Sequence, residues 1–354
     1  ALYFSALRPE DRVAVKPHAS PVFHAIQYMM GNVDRARMES FRGLGGVQSY
    51  PSRTKDVDDV DFSTGSVGLG VAITSFASLV QDYITAKEWG ADVVHGRMVA
   101  LVGDAELDEG NVYEALQEGW KNDLRNCWWI IDYNRQSLDG IVREGLFARV
   151  EKIFDAFGWD VVRVKYGALQ RAAFKEPGGE ALRDWIDACP NQDYSALVYQ
   201  GGVVWRKRLM DDLGDQGTVT AFLEARDDNE LAALMENLGG NCVQTMAETF
   251  ASIAHKNPVC FLAYTVKGWG TPIAGHKDNH GGLMTKAQMA AWQTQMGVPE
   301  GQEWEPLATV ADKPTFQNFM DTTLFFAKGM RRYFDAALPV PEIDTPTNFQ
   351  ISTQ

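Results

Sequence analysis

Short apolar runs alternate along the chain with longer segments in which apolar residues recur every three or four positions. The runs at 98–102 (MVALV), 127–131 (CWWII), 160–164 (DVVRV), 196–199 (ALVY) and 259–266 (VCFLAYTV) have the length and composition of strands buried on both faces. Trp128 and Trp129 are expected in the sheet core. Between the first two runs lies DEGNVYEALQEGWKNDL. There Val112, Ala115, Leu116, Gly119 and Trp120 share one helical face, and Asp108 and Glu109 stand at the amino end, where a helix dipole favours acidic side chains. Strand, helix and strand in that length imply a parallel pair. Helical periodicity also covers 67–89, 148–157, 243–255 and 315–337. The pattern predicts a doubly wound α/β domain, a mostly parallel sheet with helices on both faces, spanning 1–336. Residues 167–239 are less regular and are expected to be an insertion of short helices. Residues 337–354 carry Pro339, Pro341 and Pro346 and read as an extended linker leading towards a further domain.

Composition narrows the function. With 354 residues, 45% hydrophobic and 23% charged, the chain is ordinary globular material for one large domain or two small ones. No apolar run reaches the roughly 18 to 20 residues that span a bilayer. The opening ALYFSALRPEDR has no signal-peptide pattern; it resembles a helix cut mid-way, so the polypeptide is expected to begin upstream of Ala1. A net charge of −14 argues against nucleic acid or an anionic membrane as partner, and an anion bound here must be held by local groups or a metal. Cys127, Cys189, Cys242 and Cys260 are scattered, with no CxxC pair, as expected of free thiols in a reducing cytoplasm.

Candidate chemistry follows from the strands. In an open parallel sheet, ligands bind beyond the carboxyl ends. Gly103 and Asp104 follow the first run; Asp132, Tyr133 and Asn134 follow the second. If the strands pair, Asp104 and Asn134 enter one crevice. A carboxylate with an amide oxygen is a hard-oxygen set suited to Mg²⁺ completed by water and phosphate oxygens, and the following helix offers free N–H groups to a phosphate. On residue types alone, capping of that helix is the simpler account of Asp104.

The surroundings shift that balance. GDAELDEGNVYEALQEGWKNDLRNCWWIIDYNRQSLDG resembles the thiamine-diphosphate motif of the transketolase and pyruvate-dehydrogenase superfamily. More narrowly, it is similar to the homodimeric type of pyruvate dehydrogenase decarboxylase component. PHASPVFHAIQYMMGN, SYPSR, STGSVGLG, AFGWDVVRV, AYTVKGWG and GHKDNHGGLMT extend the resemblance, in order, over nearly the whole chain. It implies the diphosphate-binding domain of that fold, with thiamine diphosphate and Mg²⁺ as cofactors. Asp104 and Asn134 would ligate Mg²⁺ by side chain and Gln136 by its backbone carbonyl. Lys267 would contact the diphosphate, an apt cation for it. Ser66, Val67, Gly68 and Gly70 would form the wall under the cofactor, Leu138 would pack on its rings, and Gly103, Ala105, Glu106 and Asp132 would border it. His18 and Tyr50 would line the substrate side, and His280 would sit on a mobile loop closing over the reacting carbon.

Two positions depart from the family. Ala105 stands where it has a second motif glycine, a strained choice if φ is positive there. Asp132 replaces the usual Asn and adds a carboxylate near the diphosphate, unfavourable unless it is paired or turned away. The activity implied is decarboxylation of a 2-oxo acid, most simply pyruvate, with acyl transfer to lipoate on an acyltransferase partner. The alternatives are transketolase-type transfer of a two-carbon unit between sugar phosphates, and a non-catalytic cofactor-binding subunit. The resemblance also implies a homodimer, or a complex with a segment or subunit carrying the pyrimidine-binding domain. GSVGLG is not a dinucleotide fingerprint. His276 and His280 have helical zinc spacing but sit in a Gly-rich loop, and His24 reads as a packed helix residue.

Overall fold

The runs of β-branched and aromatic residues become the strands of one parallel sheet. The computed structural model describes residues 1–65, 67–89, 94–137, 140–141 and 143–322. Its strands are β1 (Arg12–Ala14), β2 (Met98–Gly103), β3 (Cys127–Tyr133), β4 (Gln136–Ser137), β5 (Gly140–Ile141), β6 (Asp160–Val164) and β7 (Val259–Tyr264). Five form a sheet in the order β1-β2-β3-β7-β6, and β4 pairs with β5 in a small antiparallel ladder. All pairings of the large sheet are parallel. The register places Gly103 beside Asp132 and Asp132 beside Ala263, so the carboxyl ends of β2, β3 and β7 lie side by side.

Alternation along each strand divides two cores. Ala100, Val102, Trp129, Ile131 and Leu262 pack with Val71, Val112, Leu116 and Phe154 from helices on one face. Val99, Trp128, Ile130 and Phe261 pack with Phe23, Met246 and Phe250 on the other. Both Trp128 and Trp129 are buried. The helices are Leu69–Ala86, Gly110–Lys121 and Leu146–Ala156 on the first face, with Ser20–Met29 and Val243–Ala251 on the second. This is the doubly wound α/β arrangement the pattern predicts.

Between β6 and β7 the chain forms six short helices from Ala168 to Glu236, around a third core that includes Leu182, Trp205, Leu223, Leu231 and Met235. The strand predicted at 196–199 is not one: those residues belong to the helix Asn191–Gln200. Tyr194, Leu197 and Val198 are its buried apolar positions, the last two standing three and four residues after Tyr194, so the apolar run is one face of a helix. β1 was too short and too charged to show as a run. Of the periodicity at 315–337, the helix Lys313–Thr322 is described; the rest, and the linker at 337–354, lie outside the described residues. Among the described residues no helix is long and apolar enough to cross a membrane.

Candidate functional site

The carboxyl ends of β2, β3 and β7 define a charged crevice. β2 runs straight into a 3-10 turn, Asp104–Asp108. Asp104 is 4% exposed; one carboxylate oxygen accepts the Ala105 N–H at 2.9 Å and the other the Arg135 N–H at 2.9 Å. The second contact brings the two motif ends together across 31 positions of sequence. It depends on backbone shape, because Arg135 is a non-glycine residue at φ +68. That left-handed step turns its N–H towards Asp104, while Asn134 Oδ1 accepts the Gln136 N–H at 3.0 Å. The buried Arg135 guanidinium lies 4.7 Å over the Tyr194 ring, so the insertion holds the turn from behind.

Both family departures are resolved by geometry. Ala105 sits inside the 3-10 turn and is not among the residues with positive φ, so its Cβ brings no backbone strain. Asp132 is paired: Lys16 makes an ion pair with its Oδ2, the Thr265 hydroxyl donates to its Oδ1, and Asn134 Nδ2 donates to Oδ2 at 3.3 Å. Burial works against the charge, but Lys16 and these hydrogen bonds hold the Asp132 carboxyl below its usual range. Asp104 differs. Burial, with the nearby charge of Asp132, pushes it up to about 7, and its two backbone N–H partners only partly offset this.

The predicted substrate-side residues gather only in part. His18 and His280 meet edge-to-face at 5.1 Å between ring centroids, and Lys267 Nζ lies 3.3 Å from His280 Nδ1. Loss of hydration and the charges of Lys16, His280 and Lys267 hold the His18 imidazole below its usual range, so it is neutral at pH 7. The loop carrying His280 folds back on its own start, where Gly275 N and Asn279 Nδ2 both donate to the Lys267 carbonyl at 3.0 Å. It also touches the insertion through His276, 4.5 Å from the Tyr199 ring. Tyr50 is not joined to this group; it is exposed, with no hydrogen bond or ring contact to either histidine.

The wall residues are tied to the fold. Gly68 caps the helix Leu69–Ala86 at φ +74, and a Cβ there would lie 2.6 Å from Asn111 Oδ1 and 2.8 Å from Val112 Cγ2. At Gly70 a Cβ would lie 2.9 Å from Thr64 Cγ2. The Val67 carbonyl accepts from Asn111 Nδ2 at 2.7 Å. Glu106 turns back to accept the Gly103 N–H at 2.8 Å, which braces the turn after β2. Ser66 and Leu138 lie outside the described residues.

A second polar cluster lies under the helix Ser20–Met29. His24 is fully buried; its Nδ1 is 2.6 Å from Asp58 Oδ2 and its Nε2 2.7 Å from the Gln48 carbonyl. Asp56 accepts the Gln48 and Ser52 N–H groups at 2.9 and 2.7 Å. His24, Asp56 and Asp58 are close enough to hold a metal ion, but both ring nitrogens and both Asp56 oxygens already have hydrogen-bond partners. Facing a carboxylate and a carbonyl, which only accept, both ring nitrogens must donate. His24 is therefore packed, as expected, but as an imidazolium.

Comparison with known proteins bears on the domain that carries the crevice. Residues 9–176 match the family described as "Transketolase, thiamine diphosphate binding domain". The match takes in β1, β2 and β3, and with them Asp104, Asn134 and Gln136. It is 26% identical over 269 residues to the pyruvate dehydrogenase E1 component of Corynebacterium glutamicum, a match covering 73% of this chain and 28% of the relative. It is 24% identical over 286 residues to the same component of Escherichia coli K12, covering 79% of this chain and 32% of the relative. The chain thus spans less than a third of these curated relatives. Transketolase from Leishmania mexicana shares the fold with a TM-score of 0.55 at 17% identity, over 90% of this chain and 41% of that one.

The crevice fits the Mg²⁺ expected beside thiamine diphosphate. Asp104 is a desolvated carboxylate that a divalent cation would keep ionised. Asn134 offers an amide oxygen beside it, and the buried Gln136 Oε1 has no hydrogen-bond partner among the described residues. Sequence reasoning assigned no role to Lys16, Arg135 or Thr265. The one signal available was charge: Asp132 departs from the family towards acid, and a lysine stands in KPHASP.

Proposed function

We propose that this chain is the diphosphate- and Mg²⁺-binding part of the decarboxylating component of a 2-oxo acid dehydrogenase, acting on pyruvate and passing the acyl group to lipoate on an acyltransferase in the cytoplasm. The observation that carries the reading is the Arg135 N–H bond to Asp104, which gathers the aspartate and the 134–136 turn into one oxygen-ligand set. Asp104, Asn134 and the Gln136 carbonyl would hold Mg²⁺. Lys267, with Gly68 at a helix amino end, would hold the diphosphate. When bound, the thiazolium ring supplies the carbon nucleophile and electron sink that decarboxylation requires. His18 and His280 then border the place where a carbonyl substrate would sit. His18, neutral at pH 7, can accept or donate a proton there.

The names of the relatives favour pyruvate. Lys267, with His18 and His280 beside it, could also receive a sugar phosphate, which keeps ketol transfer as a second reading. An activity screen of the full assembly decides: pyruvate with ferricyanide against xylulose 5-phosphate with ribose 5-phosphate. Turnover of pyruvate alone is expected. Turnover of the sugar phosphates alone would overturn the dehydrogenase reading.

The groups assigned here serve the diphosphate end of the cofactor, so a second segment or subunit is needed for the aminopyrimidine end. Leu69, Ile73, Phe76, Val80 and Tyr83 are all exposed on one helix, at alternating spacings of four and three. That apolar stripe, next to the cofactor wall, suits an interface with a second copy of this chain. Sedimentation should show a dimer that F76E/V80E dissociates; a monomeric parent would refute the interface.

A further inference from the structure

The crevice holds one ion pair with no assigned role. We propose that Lys16 and Asp132 act as one positioning pair that orients the Asn134 amide for the metal, an inference that rests on the thiamine-diphosphate reading above. Asp132 stands at the end of β3, between Gly103 of β2 and Ala263 of β7. Its Oδ1 receives the Thr265 hydroxyl, and its Oδ2 receives both the Lys16 ammonium and Asn134 Nδ2. An ionised carboxylate only accepts hydrogen bonds, so Asn134 must present its NH₂ to Asp132. Its carbonyl oxygen is thereby turned the other way, where it receives the Gln136 N–H at 3.0 Å and can face a cation. An amide at position 132 could present either end and would dictate nothing.

The orientation has an electrostatic cost that Lys16 removes. Alone, Asp132 would set a second negative charge beside Asp104 in a crevice that must accept a diphosphate. Lys16 reaches it from the segment after β1, 116 positions away, with a side chain only 10% exposed. The pair is neutral as a unit and directional in its hydrogen bonding. Through Thr265 it also steadies the stretch that leads to Lys267. Lys16 and Asp132 are positioning residues; neither needs to touch substrate.

Magnesium-dependent thiamine diphosphate binding, measured by calorimetry on the assembled enzyme carrying K16Q, D132N, K16Q/D132N or K16R, tests the pair. K16Q strands the carboxylate and should weaken binding most, on the order of 30-fold. D132N should cost on the order of tenfold, because Lys16 is unpaired and the amide undirected. Once Asp132 is neutral, adding K16Q should change affinity by less than about threefold, and K16R should stay near the parent. Thermal unfolding without cofactor should show the same pattern. If K16Q does not fold, comparison of D132N with the double variant still decides. Losses that multiply in the double variant, or a K16R as weak as K16Q, would overturn the pair while leaving the cofactor reading intact. A parent enzyme that binds no thiamine diphosphate would overturn the cofactor reading, and with it the proposed role.

Discussion

Two polar clusters in this protein are built from the same residue types and behave in opposite ways. Under the helix Ser20–Met29, His24, Asp56, Asp58 and the Gln48 backbone exchange hydrogen bonds among themselves. Each ring nitrogen and each Asp56 oxygen has a partner, Asp58 Oδ1 has none, and the His24 ring supplies Asp58 with its cation, so the cluster serves to lock the 48–58 loop against the helix. At the carboxyl ends of β2, β3 and β7, Asp104 is buried without a cation of its own, and Gln136 Oε1 is buried without a partner among the described residues. A buried carboxylate with no cation beside it is costly, and a divalent cation bound there would relieve that cost. Proximity of His and Asp is thus a poor guide to a site; a buried carboxylate without a cationic partner is a better one.

The largest expected effect comes from removing the carboxylate that lacks a cation. D104A should lower magnesium-dependent affinity for thiamine diphosphate by at least about 10³-fold, about 4 kcal/mol, while Tm stays level or rises, since a desolvated acid has gone. Unchanged affinity by calorimetry would remove Asp104 from the ligand set.

The closed cluster should respond in the opposite sense. H24F removes one partner of a buried ion pair and strands Asp58, a change that costs about 3–5 kcal/mol of stability. Denaturant unfolding should show that loss, with cofactor affinity little changed in the protein that remains folded. A destabilisation below about 1 kcal/mol would mean that the pair contributes little to holding the loop.

How much of this was legible in the sequence follows from the range of each interaction. Asp104 and Asn134 could be placed at one sheet edge because each stands within three residues of the end of an apolar run, and ligands bind beyond the ends of buried strands. The four longest runs became strands for the same local reason. The run at 196–199 misled because four apolar residues are too few to separate a strand from one face of a helix, and the helical partner Tyr194 lay just outside the run. Lys16 and Thr265 carried no local signal, since their link to Asp132 spans 116 and 133 positions and exists only once β1, β3 and β7 are aligned. His24 was recognisable as a packed helix residue, but its charge became visible only with Gln48 and Asp58 in place.

A smaller effect is expected at the His280 edge of the open cluster. H280A removes the neighbour of Lys267 and of His18 but none of the metal ligands. Turnover should fall by more than about tenfold, roughly 1.4 kcal/mol of barrier, with cofactor affinity within about twofold of the parent. Turnover within about twofold would leave His280 as a solvated loop residue and shift attention to His18.

The smallest effect is the pH dependence of the closed cluster, and its sign follows from the direction of the shift. Burial opposes the charge on His24, but the hydrogen bond and charge of Asp58, aided by the Gln48 carbonyl, raise it above its ordinary 6.5. A group raised on folding stabilises fully below its unfolded value, and that contribution is lost as pH rises through the folded value. Unfolding free energy should therefore decline through the window above pH 6.5. The decline should be smaller than the loss in H24F, because the neutral ring still makes one of its two hydrogen bonds. In H24F this part of the slope should vanish, whereas in D104A it should persist. A slope unchanged in H24F would mean that another group titrates in this window and that the closed cluster does not carry the charge assigned to it.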